Sequence, residues 1–289
     1  MSRQEPLHSA ASIVAALKRH GDPQRAAFSQ RFFRTGPGGY GEGDRFLGVT
    51  VPAQRRIARR HRALSRSGIA RLLASPYHEV RFVGVAILVD QFRKASAEGR
   101  DEIAALYLQH RQALDNWDLI DVSAPHILGE HLAARRKTRP LVEMAASPRL
   151  WDRRMAVLAS WAFIRRGDTR VTRGLAERLL GDEHDLMHKA VGWMLREVGK
   201  QDEDALLAFL DRHATSMPRT MLRYATEKLN EPTRSRYIVL RRASPPQPRA
   251  RAAGALADRS RSAPASRGRT APARPPGQST GRHKRKGPA

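Results

Sequence analysis

Apolar residues recur at i, i+3 and i+4 along most of this chain, and a period of two is nowhere sustained. The pattern predicts helices over 9–19 and 23–34. Residues 36–43, Gly-Pro-Gly-Gly-Tyr-Gly-Glu-Gly, cannot be helical and are expected as a loop. Thr50, Val51 and Pro52 then read as a helix start, a capping hydroxyl followed by a proline in the first turn. Further helices are expected over 69–74, 79–94, 98–111, 117–133, 138–145, 150–165, 171–180, 184–198, 202–212 and 218–229, with a shorter one over 233–240. Most are short and joined by few residues, so the expected fold is all-α, built from stacked antiparallel helices.

The pattern also echoes itself. Ser75-Pro76-Tyr77-His78-Glu79-Val80-Arg81 resembles Ser147-Pro148-Arg149-Leu150-Trp151-Asp152-Arg153-Arg154, with the two prolines 72 residues apart. Arg154-Met155-Ala156-Val157-Leu158 lines up with Lys189-Ala190-Val191-Gly192-Trp193, 35 residues on. A two-helix unit of ~35–45 residues is the sign of a HEAT-like solenoid, an α-α superhelix. One such unit cannot bury its apolar face alone, so neighbours stack. In this register Arg81, Arg154 and Lys189 occupy equivalent places, and a ladder of cations on one concave face would track a phosphate backbone. The plainer alternative is that basic residues merely decorate an Arg-rich surface.

Charge bears on that choice. Lys and Arg number 53 against 28 acids, a formal charge of +25. Residues 241–289 hold 13 of those cations and one acid, Asp258, so they carry +12 and the rest of the chain +13. The expected division is a repeat domain over 1–240 and a basic Arg/Pro/Ala-rich tail over 241–289, too poor in apolar residues to fold and therefore disordered. The folded part is basic in its own right, which predicts attraction to a polyanion. There is no cysteine, so disulfides and thiolate chemistry are excluded. No HExxH motif occurs, so no metal or cofactor is expected. With no apolar run of signal-peptide or membrane-span length, a cytoplasmic monomer with no membrane attachment is expected.

Two segments suggest chemistry. In Asp115-Asn116-Trp117-Asp118-Leu119-Ile120-Asp121, Trp117 and Asp121 are i and i+4 and share a helix face, whereas Asp118 points elsewhere. In Lys189-Ala190-Val191-Gly192-Trp193, the glycine before Trp193 leaves room for a close neighbour. An indole face attracts a cation. A purine alkylated at N3 or N7 is cationic, and its loss passes through an oxocarbenium-like sugar that a nearby carboxylate would stabilise. An exposed Asp121 between Trp117 and Trp193 would suffice, with no metal and no covalent nucleophile. From spacing alone the ordinary reading competes: tryptophans in helical repeats belong to the core, and an aspartate near a helix start caps it.

Several separated motifs bear on this choice. Tyr40-Gly41-Glu42-Gly43-Asp44-Arg45-Phe46-Leu47-Gly48-Val49 with Pro52-Ala53-Gln54-Arg55-Arg56 resembles the N-terminal signature of the bacterial AlkD family of DNA alkylation repair glycosylases. Asn116-Trp117-Asp118-Leu119-Ile120-Asp121, Leu150-Trp151-Asp152-Arg153-Arg154, His188–Glu197 and Met217–Ala225 resemble later motifs of that family, in the same order, over about residues 10–240. The resemblance implies a HEAT-like solenoid that removes 3-methyladenine and 7-methylguanine from duplex DNA by base excision, without flipping the base. It implies Asp121, Trp117 and Trp193 as the catalytic set and Arg154, or Arg153, on the DNA-facing helix. Asn116 departs from members that carry a second aromatic there, and the basic tail is not part of the pattern.

Two readings from different classes follow. One is a monofunctional glycosylase in which Arg154, Arg153, Lys189 and Arg81 hold the DNA. The other is a non-catalytic helical-repeat protein that binds damaged or branched DNA. A protein-interaction scaffold is a third, and the excess positive charge argues against it.

Overall fold

The structure, a computed structural model, describes residues 9–239; the tail expected from 241 on lies outside the described residues. In chain order the α-helices are α1 (Ala10–Arg19), α2 (Pro23–Phe32), α3 (Val51–Arg60), α4 (Arg66–Leu73), α5 (His78–Lys94), α6 (Ala97–Gln109), α7 (Trp117–Asp121) and α8 (Glu130–Ala134). They continue as α9 (Arg139–Ala145), α10 (Leu150–Ala159), α11 (Trp161–Ile164), α12 (Arg170–Arg178), α13 (Asp185–Gln201), α14 (Glu203–His213), α15 (Arg219–Ala225) and α16 (Glu231–Ile238). Among the described residues there is no strand, only an isolated bridge between Arg45 and Tyr77. The fold is an all-α helical repeat.

The helix starts follow local chemistry. Ser9 and Ser12 form a reciprocal capping box on α1. Asp22 caps α2 ahead of Pro23, Asp202 caps α14 and Asn230 caps α16, each accepting from a backbone N–H in the first turn. Thr50 precedes α3 as expected, but its hydroxyl makes no capping bond. The helix expected over 117–133 is broken: α7 ends at Asp121, and Pro125–Gly129 winds as a π-helix before α8 begins. Pro125 has no N–H to continue the α ladder, and the π turn absorbs the misfit. The helix expected over 150–165 divides likewise at Ser160, whose hydroxyl donates to the Val157 carbonyl at 2.6 Å.

Helices α5, α7, α10, α13 and α15 pack in succession as one row, which α3 joins through α5. Helix α4 packs on α5, α9 on α10, and α12 and α14 on α13, forming a second row behind the first. Val83, Ile87, Leu119, Met155, Leu158, Met187, Val191, Leu195 and Leu222 are fully buried between them. Each such side chain contributes roughly 1.5–3 kcal/mol through burial. Gly192 sets the closest approach: a Cβ there would lie 2.5 Å from the Met221 carbonyl oxygen and 2.6 Å from Tyr224 Cβ. That is the close neighbour the sequence anticipates.

The repeat echo is physical. Tyr77 N donates to Ser75 Oγ at 3.1 Å and Arg149 N to Ser147 Oγ at 3.2 Å. Arg81 Nη1 donates to the Ser75 carbonyl and Arg153 Nη1 to the Ser147 carbonyl, both at 3.1 Å. The structural counterpart of Arg81 is therefore Arg153 rather than Arg154. Among the described residues no helix is long and apolar enough to cross a membrane.

Candidate active site

Helix α7 is only five residues long, and its position is set by Asn116. That residue is fully buried, and its side-chain oxygen accepts from Trp117 N at 2.8 Å. The indole that follows is held from two sides. Trp117 Nε1 donates to the Tyr40 hydroxyl at 3.3 Å, and Tyr40 in turn donates to the Phe32 carbonyl at 3.2 Å. Phe33 stacks on the Trp117 ring at 5.3 Å between centroids, and Phe32 meets it edge-on at 6.2 Å. The glycine-rich loop thus delivers Tyr40 to the indole.

One turn beyond Trp117 lies Asp121. It is not the exposed carboxylate expected from the sequence. Its side chain is 15% exposed and is gripped by Arg154 of α10, with Nε to Oδ1 at 2.9 Å and Nη2 to Oδ2 at 2.7 Å. Burial pushes the Asp121 carboxyl above the ordinary carboxylate range, and the Arg154 charge pulls it back in part. Arg154 Nη1 also donates to the Leu186 carbonyl of α13 at 2.7 Å. On α13, Trp193 donates from Nε1 to Glu197 Oε1 at 3.2 Å, and Lys189 pairs with Asp185 at 2.7 Å.

These residues meet in one cleft of about 420 Å³, lined by Trp117, Asp121, Arg154, Lys189, Trp193 and Tyr224, together with Phe32, Arg34, Tyr40, His184, Asp185 and Leu186. Phe32, Tyr40 and Tyr224 were not anticipated. Tyr40 and Tyr224 both lie inside motifs that assign them no role, and Tyr224 enters the cleft through the close approach that Gly192 permits. Two expected DNA contacts lie elsewhere. Arg81 is buried in pairs with Asp44 at 3.0 Å and Asp115 at 2.8 Å. Arg153 pairs with Asp182 at 2.7 Å and donates to the Ser147 and Pro148 carbonyls. Both tie one turn of the repeat to the next. The open ladder of Arg81, Arg154 and Lys189 is therefore absent: two of its three cations are committed to buried carboxylates.

Beneath Trp117 lies a second charged set. His78 Nδ1 meets Asp44 Oδ2 at 2.7 Å and His78 Nε2 meets Asp118 Oδ2 at 2.8 Å. Burial alone would lower the imidazole pKa, but the bonds to Asp118 and then Asp44 outweigh it and raise it to about 9. His78 is thus an imidazolium at neutral pH. Its ring stacks on Phe46 at 4.6 Å, and Phe46 stacks on Phe33 at 5.0 Å. Asp118, turned away from Asp121 as the helical spacing required, is the carboxylate that reaches this ring.

The comparisons agree with one another. The profile of the DNA alkylation repair enzyme family matches residues 13–229. A solved structure described as a predicted DNA alkylation repair enzyme from Enterococcus faecalis superposes with a TM-score of 0.58 at 14% identity, covering 73% of this chain and 98% of that one. At that identity the likeness speaks for the fold. No curated protein matches the chain by sequence. With most of its described residues inside the family profile and its helices in the same arrangement, the chain belongs to the DNA alkylation repair enzyme family.

Proposed function

We propose that this protein is a DNA glycosylase that hydrolyses the N-glycosidic bond of cationic N3- and N7-alkylated purines, such as 3-methyladenine and 7-methylguanine, in duplex DNA. The observation that carries the reading is the Asp121 carboxylate, fixed by Arg154 in a cleft that two indoles share, where the other carboxylate, Asp185, is paired with Lys189. The leaving base is already positive and departs neutral, so the enzyme has only to stabilise positive charge as it moves onto the sugar. Asp121 supplies that charge, and water completes the hydrolysis. Trp117 and Trp193 present indole faces to the cationic nucleotide. Lys189 and Arg34 add positive charge for the backbone, while Arg154 acts through Asp121 as a positioning residue.

The base need not leave the stack. A pocket that reads a flipped base places hydrogen-bonding groups along its Watson–Crick edge. No Asn or Gln lines this cleft, and its central carboxylate is turned to Arg154. That same pairing favours the second reading, a protein that binds damaged DNA without cutting, because each Asp121 oxygen already accepts one bond. One experiment separates the two: base release from 7-methylguanine duplex by wild type and Asp121→Asn. The glycosylase reading expects release by wild type and a rate lower by ~10²–10³ in the variant. Tight binding by wild type with no base released would leave the binding reading in its place.

A further inference from the structure

A second cavity, of about 430 Å³, adjoins Asp121 and is lined by neither indole. Its walls come from α3, α5 and the turn after α7, and Asp121 belongs to both cavities. We infer that this cavity is a phosphodiester-binding groove, which holds the backbone of the same DNA strand that presents its sugar to Asp121. The inference rests on the proposed function above.

What sets this cavity apart is that three unpaired guanidiniums gather around it. Arg81, Arg149, Arg153 and Arg154 all spend their guanidinium groups on carboxylates. Arg55 and Arg59, one turn apart on α3, and Arg93 on α5 are exposed and have no ion-pair or hydrogen-bond partner for their side chains among the described residues. The acid beside them, Asp90, is paired with Lys94 at 2.8 Å. Three unpaired guanidiniums around one cavity repel each other, and an anion that accepts from them relieves this. Phosphate is suited to it, because its oxygens match the planar guanidinium fork in pairs.

The surroundings point the same way. His126 faces the groove as a neutral imidazole, since burial and the charges of Arg93 and Arg165 push it down to about 4. Neutral, it can donate one hydrogen bond without adding to the repulsion. Past His126 the cavity continues into a neighbouring hollow that adds Arg100 and Arg165. Glu130 there is already shared between Arg165 and Arg166. The floor is apolar, from Phe82, Ala86, Val89 and Val122. A run of phosphates joined by apolar sugars matches a cationic wall over an apolar floor better than a lone inorganic anion does. The shared wall at Asp121 then sets a register, with phosphates on one side of the carboxylate and the damaged nucleotide on the other.

The test uses the full chain and a 7-methylguanine duplex, with binding measured across salt concentrations. One variant carries Arg55→Gln, Arg59→Gln and Arg93→Gln. Its control carries Arg19→Gln, Arg71→Gln and Arg178→Gln, which remove the same charge from exposed arginines outside every cavity described. All six side chains are exposed, and circular dichroism checks that both variants fold. Each lost phosphate contact reduces the slope of log K against log salt by about 0.9. The groove variant should therefore lose roughly two to three from its slope, with weaker binding at low salt, and the control should keep the wild-type slope. A groove variant whose slope equals the control's overturns the groove, even where wild type releases base normally. A wild type that binds no duplex overturns the groove together with the glycosylase reading.

Discussion

Both oxygens of the Asp121 carboxylate are held by the one guanidinium of Arg154, at 2.9 and 2.7 Å, while the third nitrogen of that group ties to Leu186 at the start of α13. Three successive helices of the row therefore meet at one charged pair. The pair does two things. It fixes the plane of the carboxylate, and it opposes the burial that raises the carboxyl pKa. Replacing Arg154 by Gln should cut base release by at least ~10², as loss of an electrostatic partner in a site commonly does. It should also move the acid limb of the rate–pH profile upward, because burial of Asp121 is then unopposed. Lys, a point charge without the fork, should restore the limb in part and the rate less. An acid limb that stays in place in Arg154→Gln would remove Arg154 from this role. Leaving Asp121 buried and unpaired also costs about 3–5 kcal/mol of stability, so melting is measured beside the rate.

A second expectation concerns pH and stability. His78 has a native pKa of about 9 against 6.5 when unfolded, so the folded state holds the proton more tightly. Its contribution is fully present below about pH 6.5 and is lost as pH rises through about 9. Urea midpoints should fall between pH 7 and 9.5 in wild type, and His78→Gln should flatten that decline. A midpoint in wild type that is level, or rises, over this window would contradict the buried imidazolium.

How much of this was legible in the sequence depends on whether the information was local. Trp117 and Asp121 share a face because i and i+4 always do in a helix, and Asp118 turned away for the same reason. Most helix starts were legible too, since Asp22 and Ser9 act on backbone groups two or three residues away. The partner of Asp121 was not legible. Arg153 and Arg154 are adjacent, and one residue rotates a helix position by about 100°. That angle decides which of the two reaches Asp121 and which reaches Asp182. The expected ladder set Arg81 level with Arg154, whereas the 72-residue offset of the two prolines and the serine-carbonyl bonds both pair it with Arg153. Burial of the cations was equally hidden, because each carboxylate partner comes from a turn some thirty residues away, as Asp115 does for Arg81. The Pro125 break was present in the sequence as a residue without an N–H, but helical periodicity ran straight through it.

The contact at Gly192 gives a third test. A methyl group there meets backbone oxygen of Met221, which cannot swing aside as a side chain would. Gly192→Ala should therefore separate α13 from α15, at a cost of about 1–3 kcal/mol, despite the better helix propensity of alanine. Because Trp193 and Tyr224 flank this contact and line the cleft, base release should fall with stability. A variant as stable as wild type would show that the two helices do not pack this closely.

The last expectation separates recognition of charge from recognition of DNA. Trp193 lies half-buried in the cleft, and its N–H is taken by Glu197, which leaves the ring face as its means of meeting a ligand. A cation over an aromatic face gains about 0.5–1 kcal/mol when exposed and ~2 when desolvated, and indole attracts it more strongly than a phenyl ring. That corresponds to roughly twofold to thirtyfold in affinity at most. Trp193→Phe keeps an apolar ring of related shape and gives up much of that attraction. Its affinity for a duplex with 7-methylguanine should fall by such a factor, while affinity for the same duplex unmodified stays level. Trp193→Ala should weaken both, because it also removes apolar surface from the cleft. Trp117 is the internal comparison: one face is covered by Phe33 and its N–H is held by Tyr40, so Trp117→Phe should lose stability as well as discrimination. If Trp193→Phe lowers affinity for modified and unmodified duplex equally, the indole acts as a wall and not as a detector of positive charge, and discrimination then has to come from the reaction at Asp121 alone.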